Sequence, residues 1–510
     1  MVSPLIVVIA ITYFAYWILE FLLARPKNFP PGPIRIPIFG SYLYLLLRDV
    51  KHFYVETQRW CDKYNSKVVA LFIGSYNAVS VNDLEGIRRV FLCNDFDGRP
   101  FPYSVQLRSW AKRLGVFFTE GPFWLEQRRF TLRYMRDFGF GRRMERLEYI
   151  IEDETKLMIK LIEEGTKNPY NAGLVKDGRL IYLPEFFAAP FINSYLAVLT
   201  GHPLPEESRP ILRKTTQSSI LFQLAADATG GIISILPSLR YIFPKLSGYH
   251  GITKGHEALM DLMRDVIKQR KNRGFTETEG FIDFYLNEMK ARKEVGGYTT
   301  FSDDQLLLIV ADLLMPASSA VQSQLGMLVE RLIHNPEIQD KIYNEIKTVV
   351  GSGRLPTLDD RPNLPYCEAT LRESLRIDTL ATLGVPHSTL VDTTLHGYNI
   401  PKDTIVITNL WQMHHDEKVW GDPETFRPER FVTEDGKGLA KDQSLPFGLG
   451  RRVCAGETFA RNTMFLIYTG LLQNYKLTVP EGYPLPDLND RLNGLVISPK
   501  DFWVKCIPRK

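Results

Sequence analysis

The chain has 510 residues, of which 62 are Lys or Arg and 58 are Asp or Glu, and its formal net charge is +4. Apolar residues make up 45% and charged residues 24% of the sequence, close to the averages of soluble globular domains. These values exclude a disordered chain, a collagen-like fibre and a polytopic membrane protein, and the near-balanced charge argues against a nucleic-acid partner.

The first predicted element is a membrane-spanning helix over Pro4–Ala24. This run is mostly apolar, Glu20 near its end is its only charge, and a helix of about 20 such residues crosses a bilayer. No Lys or Arg precedes the run, whereas Arg25 and Lys27 follow it, so the positive-inside rule places the rest of the chain in the cytosol. We therefore predict an anchor over residues 1–24 in the endoplasmic reticulum (microsomal) membrane; the alternative is a buried core helix.

A proline-rich segment follows the anchor. Phe29-Pro30-Pro31-Gly32-Pro33 cannot continue a helix, because proline lacks a backbone N–H and favours an extended conformation. We interpret residues 25–36 as a basic hinge and residues 37–510 as one globular domain, since no repeat or long Gly/Ser linker divides the chain. The five cysteines are few and scattered, so they predict no disulfide framework and indicate a reducing compartment.

The body of the chain is predicted to be an α+β fold that is mainly helical and has small β-sheets. Lys67–Ile73 and Ala78–Val81, joined across Gly74-Ser75, have the pattern of a β-hairpin. Residues 140–380 are mostly helical by pattern, with a loop-rich insertion near 225–253.

The later elements include one long helix. Phe301–His334 is apolar with helical periodicity, and Ser302 is its predicted N-cap, followed by two aspartates in the first turn. Another helix is predicted over Pro336–Val350. Short strand signals at 385–408 precede a proline-rich stretch and a final helix after Gly456.

The strongest chemical signal surrounds Cys454. Residues 447–456 read Phe-Gly-Leu-Gly-Arg-Arg-Val-Cys-Ala-Gly, so a Gly-rich loop with Gly450 and Gly456 leads the cysteine into a helix. Glycines allow tight turns and close approach to a flat ligand, and N–H groups near a helix start stabilise a thiolate. A structural cysteine is the alternative, but a chance match to Phe-x-x-Gly-x-Arg-x-Cys-x-Gly is on the order of one in 10^4.

With this motif the sequence resembles the cytochrome P450 family of haem-thiolate monooxygenases over nearly its whole length, especially the microsomal animal type found in insects. The resemblance implies that residues 37–510 are a haem-binding catalytic domain and that Cys454 is the metal ligand of haem b (iron protoporphyrin IX). Phe447, Arg452 and Gly456 are then cofactor-binding residues. It further implies electrons from NADPH through a separate reductase, with cytochrome b5 as a further candidate partner.

Two more motifs carry the resemblance. Glu373 and Arg376 lie three residues apart on one predicted helix, and Arg430 follows in the sequence Pro-Glu-Arg-Phe. Alone, such a pair is usually a solvated surface ion pair. The resemblance implies that the three residues form a structural triad that holds the haem-side loop.

A Trp-x-x-x-Arg sequence places Trp124 and Arg128 on one side of a helix. The resemblance assigns both to a haem propionate, together with Arg452 and His387. The alternatives are ordinary packing for the Trp/Arg pair and a surface or core histidine for His387.

The same region is rich in arginine. The resemblance implies that its helix docks an acidic reductase by electrostatic attraction, although such runs are usually solvated faces. The arginines of this stretch are Arg128, Arg129, Arg133, Arg136, Arg142, Arg143 and Arg146.

The long helix departs from the family. Its members usually have Ala/Gly-Gly-x-Asp/Glu-Thr here, where the acid and the alcohol pass protons into the oxygen site. This chain reads Pro316-Ala317-Ser318-Ser319-Ala320, so Ser319 occupies the acid position and Ala320 the alcohol position. Pro316 is expected to open or kink the helix, and Ala317 to leave room for oxygen. Ala317, Ser318 and Ser319 are the candidate catalytic residues; Ser318, Ser319, an ordered water or a substrate hydroxyl remain open as replacement relays.

Three functions are compatible with these features. The favoured one is a monooxygenase that inserts one oxygen atom into a lipophilic small molecule, such as a hormone-like lipid or an insecticide. The alternative is a haem-thiolate isomerase or dehydratase that acts on a hydroperoxide, endoperoxide or oxime without external electrons. The third is a non-catalytic haem-binding membrane protein. Apolar segments expected to line the pocket are Ser104–Phe118, 205–250, Ala311–Ala317, Leu383–Val385 and Leu495–Val496. Ile232–Tyr249 is apolar and aromatic enough to contact the lipid bilayer; the alternative is a buried helix and loop.

Overall fold

The computed structural model of the chain describes residues 12, 13, 19, 22, 24–171, 173–227, 229–273 and 278–509. The predicted anchor over Pro4–Ala24 lies almost entirely outside these residues. The α-helices from residue 24 onward are α1 (Tyr42–Leu47), α2 (Phe53–Tyr64), α3 (Leu84–Leu92), α4 (Tyr103–Arg108), α5 (Gly121–Arg136), α6 (Glu145–Glu164), α7 (Ala188–Thr200), α8 (Arg209–Ala225), α9 (Ile232–Ile235), α10 (Leu239–Ile242), α11 (Tyr249–Arg273), α12 (Phe281–Val295), α13 (Asp303–His334), α14 (Pro336–Val349), α15 (Pro365–Ile377), α16 (Leu410–His414), α17 (Glu417–Trp420) and α18 (Glu457–Asn474).

The strands are short and form small sheets. They are β1 (Val68–Ile73), β2 (Tyr76–Val81), β3 (Val175–Lys176), β4 (Leu180–Leu183), β5 (His387–Ser388), β6 (Thr393–Leu395), β7 (Tyr398–Ile400), β8 (Ile405–Thr408), β9 (Tyr475–Thr478), β10 (Arg491–Leu492), β11 (Ser498–Pro499) and β12 (Phe502–Pro508). Two four-stranded sheets have the orders β1-β2-β8-β5 and β3-β4-β12-β9, and β6-β7 and β10-β11 are two-stranded. The helix-rich α+β prediction is confirmed, as is the β1–β2 hairpin.

The long helix α13 is the centre of the largest apolar core. Its start is as predicted, because the Ser302 hydroxyl accepts the N–H of Gln305 at 3.2 Å. Leu306, Leu308 and Ile309 are fully buried, and helices α7, α8, α11 and α15 pack around the helix. Among the described residues, α13 alone is long and apolar enough to cross a membrane, but 83% of its most apolar window is buried inside the protein.

Helix α13 continues through Pro316, so the opened helix expected there is wrong. Proline removes only one backbone N–H, and the buried packing on both sides of Pro316 holds the two halves of the helix together. The sequence also did not predict β3 and β4, which lie within the stretch interpreted as mostly helical; at two and four residues they are too short to show a period of two.

The proline-rich segment is docked on the first sheet. The carbonyl of Pro31 accepts the N–H of Ala70 at 2.8 Å, and the Phe29 and Phe72 ring centroids lie 6.3 Å apart. A Cβ on Gly32 would come within 2.2 Å of the Ala70 carbonyl oxygen. Residues 29–33 therefore pack on the first sheet, and the interpretation of residues 25–36 as a hinge stays a prediction.

Candidate functional site

The Cys454 loop approaches α3 closely. Gly448 and Gly450 have φ of 71° and 70°, the left-handed region that favours glycine. A Cβ on Gly450 would lie 2.2 Å from the Phe91 carbonyl oxygen, so this position needs glycine for space as well as for conformation. The loop closes where the Cys454 N–H donates to the Phe447 carbonyl at 2.9 Å.

Gly456 has a different role. Its φ is −97°, which any residue adopts, so no left-handed turn requires glycine there. Its Cα hydrogens face Phe140, whose ring would be 3.2 Å from an added Cβ. Gly456 therefore permits close packing at the start of α18.

The Cys454 thiol faces an internal space. Cys454 is an exposed, free cysteine, so its thiol is open to a ligand. Burial raises the pKa of the Cys454 thiol, while the N–H of Gly456 and the charge of Arg128 act in the opposite direction. Cys61, Cys367 and Cys506 are buried, Cys93 is half-buried, and all five cysteines are free, as the sequence predicted.

A cluster of cations surrounds the buried Trp124 ring. The guanidinium carbon of Arg452 lies 3.5 Å from the ring centroid, and that of Arg128 lies 5.8 Å away. Arg452 donates from Nε to the Asp97 carbonyl at 3.0 Å and from Nη2 to the Thr119 carbonyl at 2.9 Å. The buried indole Nε1–H of Trp124 has no hydrogen-bond partner among the described residues.

Arg99 belongs to the same cluster, and sequence reasoning missed it. This buried arginine donates from Nε to the Phe117 carbonyl at 3.1 Å and from Nη1 to the Pro386 carbonyl at 2.8 Å. Its Nη2 takes part in neither of these two hydrogen bonds. Burial, together with the charge of Arg128, lowers the pKa of Arg99 to about 9. The only sequence signal is an arginine inside an Asp-Gly-Arg-Pro turn, which does not by itself mark a binding site.

The guanidinium groups repel one another. Burial lowers the pKa of Arg452 to about 8, and the nearby charge of Arg99 contributes. Asp97 pairs with Arg451 at 2.7 Å, so it does not fully balance Arg99, Arg128 and Arg452. Uncompensated buried charge is costly, and an anion placed among these groups would remove the cost.

His387 is buried beside this cluster as a neutral ring. Its Nδ1 lies 2.7 Å from the Phe96 carbonyl oxygen, which can only accept, so the proton is on Nδ1. Burial, with the charges of Arg99 and Arg452, holds the pKa of His387 well below its usual range. The neutral ring has no proton on Nε2, so Nε2 can donate to a carboxylate only after the ring is doubly protonated.

The donor set fits a haem. An accessible thiol suits iron, and three cations with an unpartnered indole N–H suit the two carboxylates of a porphyrin. Of the cofactor residues predicted from the sequence, Arg128 and Arg452 lie against the ring of Trp124, and His387 lies near Arg452.

The three predicted triad residues form a buried ion network. Glu373 and Arg376 are fully buried and pair through both guanidinium branches, at 2.7 and 2.8 Å. Arg430 donates from Nε to the same carboxylate at 3.0 Å. Arg376 also donates from Nη1 to the His414 carbonyl at 2.7 Å, and from Nη2 to the Pro423 carbonyl at 2.8 Å. One carboxylate thus joins α15 to the irregular stretch before the Cys454 loop.

The candidate catalytic serines are engaged within the protein. Ser318 contacts the Ser219 hydroxyl of α8 and donates to the Met315 carbonyl at 3.0 Å. Ser319 donates to the same carbonyl at 2.9 Å. Ala317 and Ala320 are buried and offer no polar side-chain atom.

Several arginines of the arginine-rich stretch already have ion-pair or hydrogen-bond partners within the protein. Arg143 pairs with Glu148 and Asp359, while Arg136 and Arg142 both approach Asp137. Arg146 hydrogen-bonds His202 at 3.2 Å. Arg129 and Arg133 are exposed one turn apart on α5, and neither has an ion pair within the described part of the chain.

Known proteins resemble the chain over almost its full length. Residues 30–506 match the family model described as Cytochrome P450. The chain is 34% identical over 489 residues to the farnesoate epoxidase of Bombyx mori, which covers 95% of both chains. It is 30% identical over 507 residues to cytochrome P450 2J1 of Oryctolagus cuniculus, which covers 98% of this chain and 95% of that one. It is also 30% identical over 489 residues to cytochrome P450 2J2 of Homo sapiens, which covers 95% of this chain and 92% of that one.

Replacing the accessible thiol should abolish iron ligation by sulfur. We expect Cys454→Ala to lose the red-shifted carbon monoxide absorption of the reduced protein, because alanine provides no thiolate. The half-buried Cys93 is the matched control, and Cys93→Ala should keep the band. Retention of the band in Cys454→Ala would show that another residue binds the iron.

Neutralising the central carboxylate of the ion network should destabilise the protein. Glu373→Gln leaves the buried Arg376 guanidinium without a charge partner and leaves Arg430 with Asp422 alone, which is expected to cost about 3–5 kcal/mol. The measurement is the thermal midpoint and the yield of haem-loaded protein. Glu429→Gln is the control, because Glu429 pairs with Lys341 at the surface and such pairs contribute about 0–1 kcal/mol. Equal losses in the two variants would contradict a special role for Glu373.

Proposed function

The chain belongs to the cytochrome P450 family of monooxygenases, and we propose that it inserts one oxygen atom from O2 into a lipophilic substrate with electrons from an NADPH-dependent reductase. The observation that carries this proposal is the accessible Cys454 thiol, together with the buried Arg99, the half-buried Arg128 and Arg452, and the Trp124 indole N–H, which has no partner among the described residues. We further propose that residues 37–510 form the catalytic domain and that the cofactor is haem b.

In this proposal, the site residues bind the cofactor by its iron and by its carboxylates. When bound, the haem iron supplies the activation of O2. Cys454 loses its proton to bind the iron, and the N–H of Gly456 stabilises the resulting negative charge. Arg99, Arg128, Arg452 and Trp124 would hold the haem carboxylates through charge-assisted hydrogen bonds. The alternative isomerase or dehydratase function is not favoured, because the relatives named above are oxygen-inserting enzymes or members of the same family.

The proposed substrate is an apolar molecule of the isoprenoid or fatty type. One relative is named a farnesoate epoxidase, which supports a hormone-like lipid; a foreign compound such as an insecticide would be bound by the same apolar contacts. Near the Pro316 region, Met315 of α13 and Leu495 pack against an apolar cluster that contains Phe222. Apolar side chains stabilise a bound apolar ligand, because binding removes its apolar surface from water.

Membrane attachment is proposed to use two regions. The first is the apolar run over residues 1–24, which places the protein on the cytosolic side of the endoplasmic reticulum. The second follows α9, where Tyr241, Ile242, Phe243 and Leu246 are all exposed. A cluster of exposed apolar side chains is stabilised by insertion into the bilayer interface, and it would bring lipophilic substrates to the pocket.

The proposed reaction is tested by product analysis. The full chain in lipid vesicles, with reductase, NADPH and 18O2, should convert farnesoate or its methyl ester to a product that contains one labelled oxygen atom. Omission of the reductase should stop product formation. Turnover of a hydroperoxide or oxime without NADPH, alongside no labelled product from any lipid tried, would establish the isomerase or dehydratase function instead.

Reductase docking is proposed to depend on the free cations of α5. Arg129→Glu with Arg133→Glu should raise the reductase concentration needed for half-maximal turnover by about ten-fold at low salt, because attraction to an acidic partner is lost. Added salt should reduce the difference, since it screens exposed charges. The control is Lys160→Glu with Lys167→Glu, which makes the same charge change at other exposed positions. Equal effects of the two double variants would rule out a specific docking face.

A further inference from the structure

Two polar side chains of α13 hold the loop that follows α4. Gln305 contacts the backbone of Gly115 twice: its Oε1 accepts the Gly115 N–H at 2.8 Å, and its Nε2 donates to the Gly115 carbonyl at 3.1 Å. Asp312, two helical turns further on, accepts the N–H groups of Val116 and Phe117 at 2.9 and 3.3 Å. Both side chains are buried, so water does not compete for these bonds.

The contact is built for a close approach. Gly115 has φ of +87°, and a Cβ there would lie 2.2 Å from Asp312 Oδ2 and 2.9 Å from Arg108 Nη2. Arg108, the last residue of α4, forms a buried ion pair with Asp312 and donates from Nη2 to the Leu114 carbonyl at 3.0 Å. The carboxylate therefore binds the loop through two amides and one guanidinium.

The opposite side of the same loop holds the cofactor cations. The Phe117 carbonyl accepts Arg99 Nε at 3.1 Å, and the Thr119 carbonyl accepts Arg452 Nη2 at 2.9 Å. The loop is also braced internally, because the Thr119 hydroxyl donates to the Gly115 carbonyl at 2.9 Å. Residues 115–119 thus connect the Asp312 carboxylate with the two cations that have the most strongly lowered pKa in the cluster.

We propose that Asp312 is a positioning residue of the cofactor site, which acts through residues 115–119 to aim Arg99 and Arg452 at the haem carboxylates. This inference rests on the proposed haem cofactor. A guanidinium binds a carboxylate well only when its planar fork is correctly oriented, and each of these two forks has one of its anchoring hydrogen bonds to this loop, at the Phe117 or the Thr119 carbonyl. Asp312 fixes those carbonyls through the N–H groups of Val116 and Phe117, so it controls the geometry without touching the cofactor.

The test separates positioning from general stability by removing the haem carboxylates. Holoprotein is prepared with haem or with haem dimethyl ester, and the rate of haem loss to excess apomyoglobin is measured for each. The wild type should lose the dimethyl ester at least about ten-fold faster, because the ester forms no ion pairs with Arg99 and Arg452. Asp312→Asn should speed the loss of haem by about ten-fold and leave the loss of the ester nearly unchanged, which collapses the ratio.

Milder variants and matched controls accompany Asp312→Asn. Gln305→Met removes two loop hydrogen bonds at similar volume, and Gly115→Ala forces a Cβ against Asp312; both should lower the ratio. Gly297→Ala controls for backbone strain, because Gly297 has φ of +86° but nothing within 4 Å of an added Cβ. Asp304→Asn controls for the loss of a carboxylate from α13, since Asp304 pairs with Lys112 at the exposed end of the same contact.

Each outcome decides the inference. A lower ratio in Gln305→Met and Gly115→Ala, with unchanged ratios in the two controls, supports it even if Asp312→Asn does not fold. Equal acceleration of haem and ester loss in the three loop variants would show a merely structural role and overturn it. Equal loss of haem and ester from the wild type would overturn it as well, while leaving oxygen insertion intact. A wild-type chain that takes up no haem would instead refute the proposed function itself.

Discussion

The structure depends on an excess of positive charge that is held inside the protein. Arg128 and Arg452 lie against one buried indole, Arg99 and Arg452 bind carbonyls of the same loop, and burial lowers the pKa of all three arginines. A protein interior tolerates such charge only with partners, and Asp97 is already paired with Arg451. Much of the surrounding loop structure is explained by this requirement, because backbone carbonyls from three separate segments, at Asp97, at Phe117 and Thr119, and at Pro386, accept from the guanidinium groups.

These carbonyls lie in loops, so rigid secondary structure has to hold them in position. Asp312 and Gln305 of α13 fix the loop that presents Phe117 and Thr119. A second buried carboxylate, Glu373, pairs with Arg376 and Arg430. These two arginines donate to backbone carbonyls of the stretch before the Cys454 loop, those of His414 and Trp420. Both supports are buried carboxylates that belong to long helices. The apolar packing of those helices thereby helps to set the position of the charged groups.

The sequence predicted the parts of the site that have a fixed local spacing. Cys454 was indicated by its glycine-flanked motif, whereas Trp124 and Arg128, which lie one turn apart, were assigned by the resemblance to the family, since such a pair alone would be read as ordinary packing. Arg99 could not be found, because its role comes from Phe117 and Pro386, which are distant in sequence. The His387 tautomer depends in the same way on the Phe96 carbonyl. Long helices were predicted well, whereas β3 and β4 are too short to show their period.

The departure from the family pattern in α13 changes which groups can serve the oxygen site. Ser318 and Ser319 both donate to the Met315 carbonyl, so their hydroxyl protons are committed within the helix. Ala320 has no donor, and Pro316 has no N–H, so the Asp312 carbonyl lacks the partner that an ordinary helix would give it. A helix carbonyl that lacks its usual N–H donor can accept a hydrogen bond from water or from a substrate hydroxyl. Pro316 and Ala320 therefore have complementary effects. Position 320 offers no side-chain hydrogen-bonding group, whereas the backbone before Pro316 offers a hydrogen-bond acceptor.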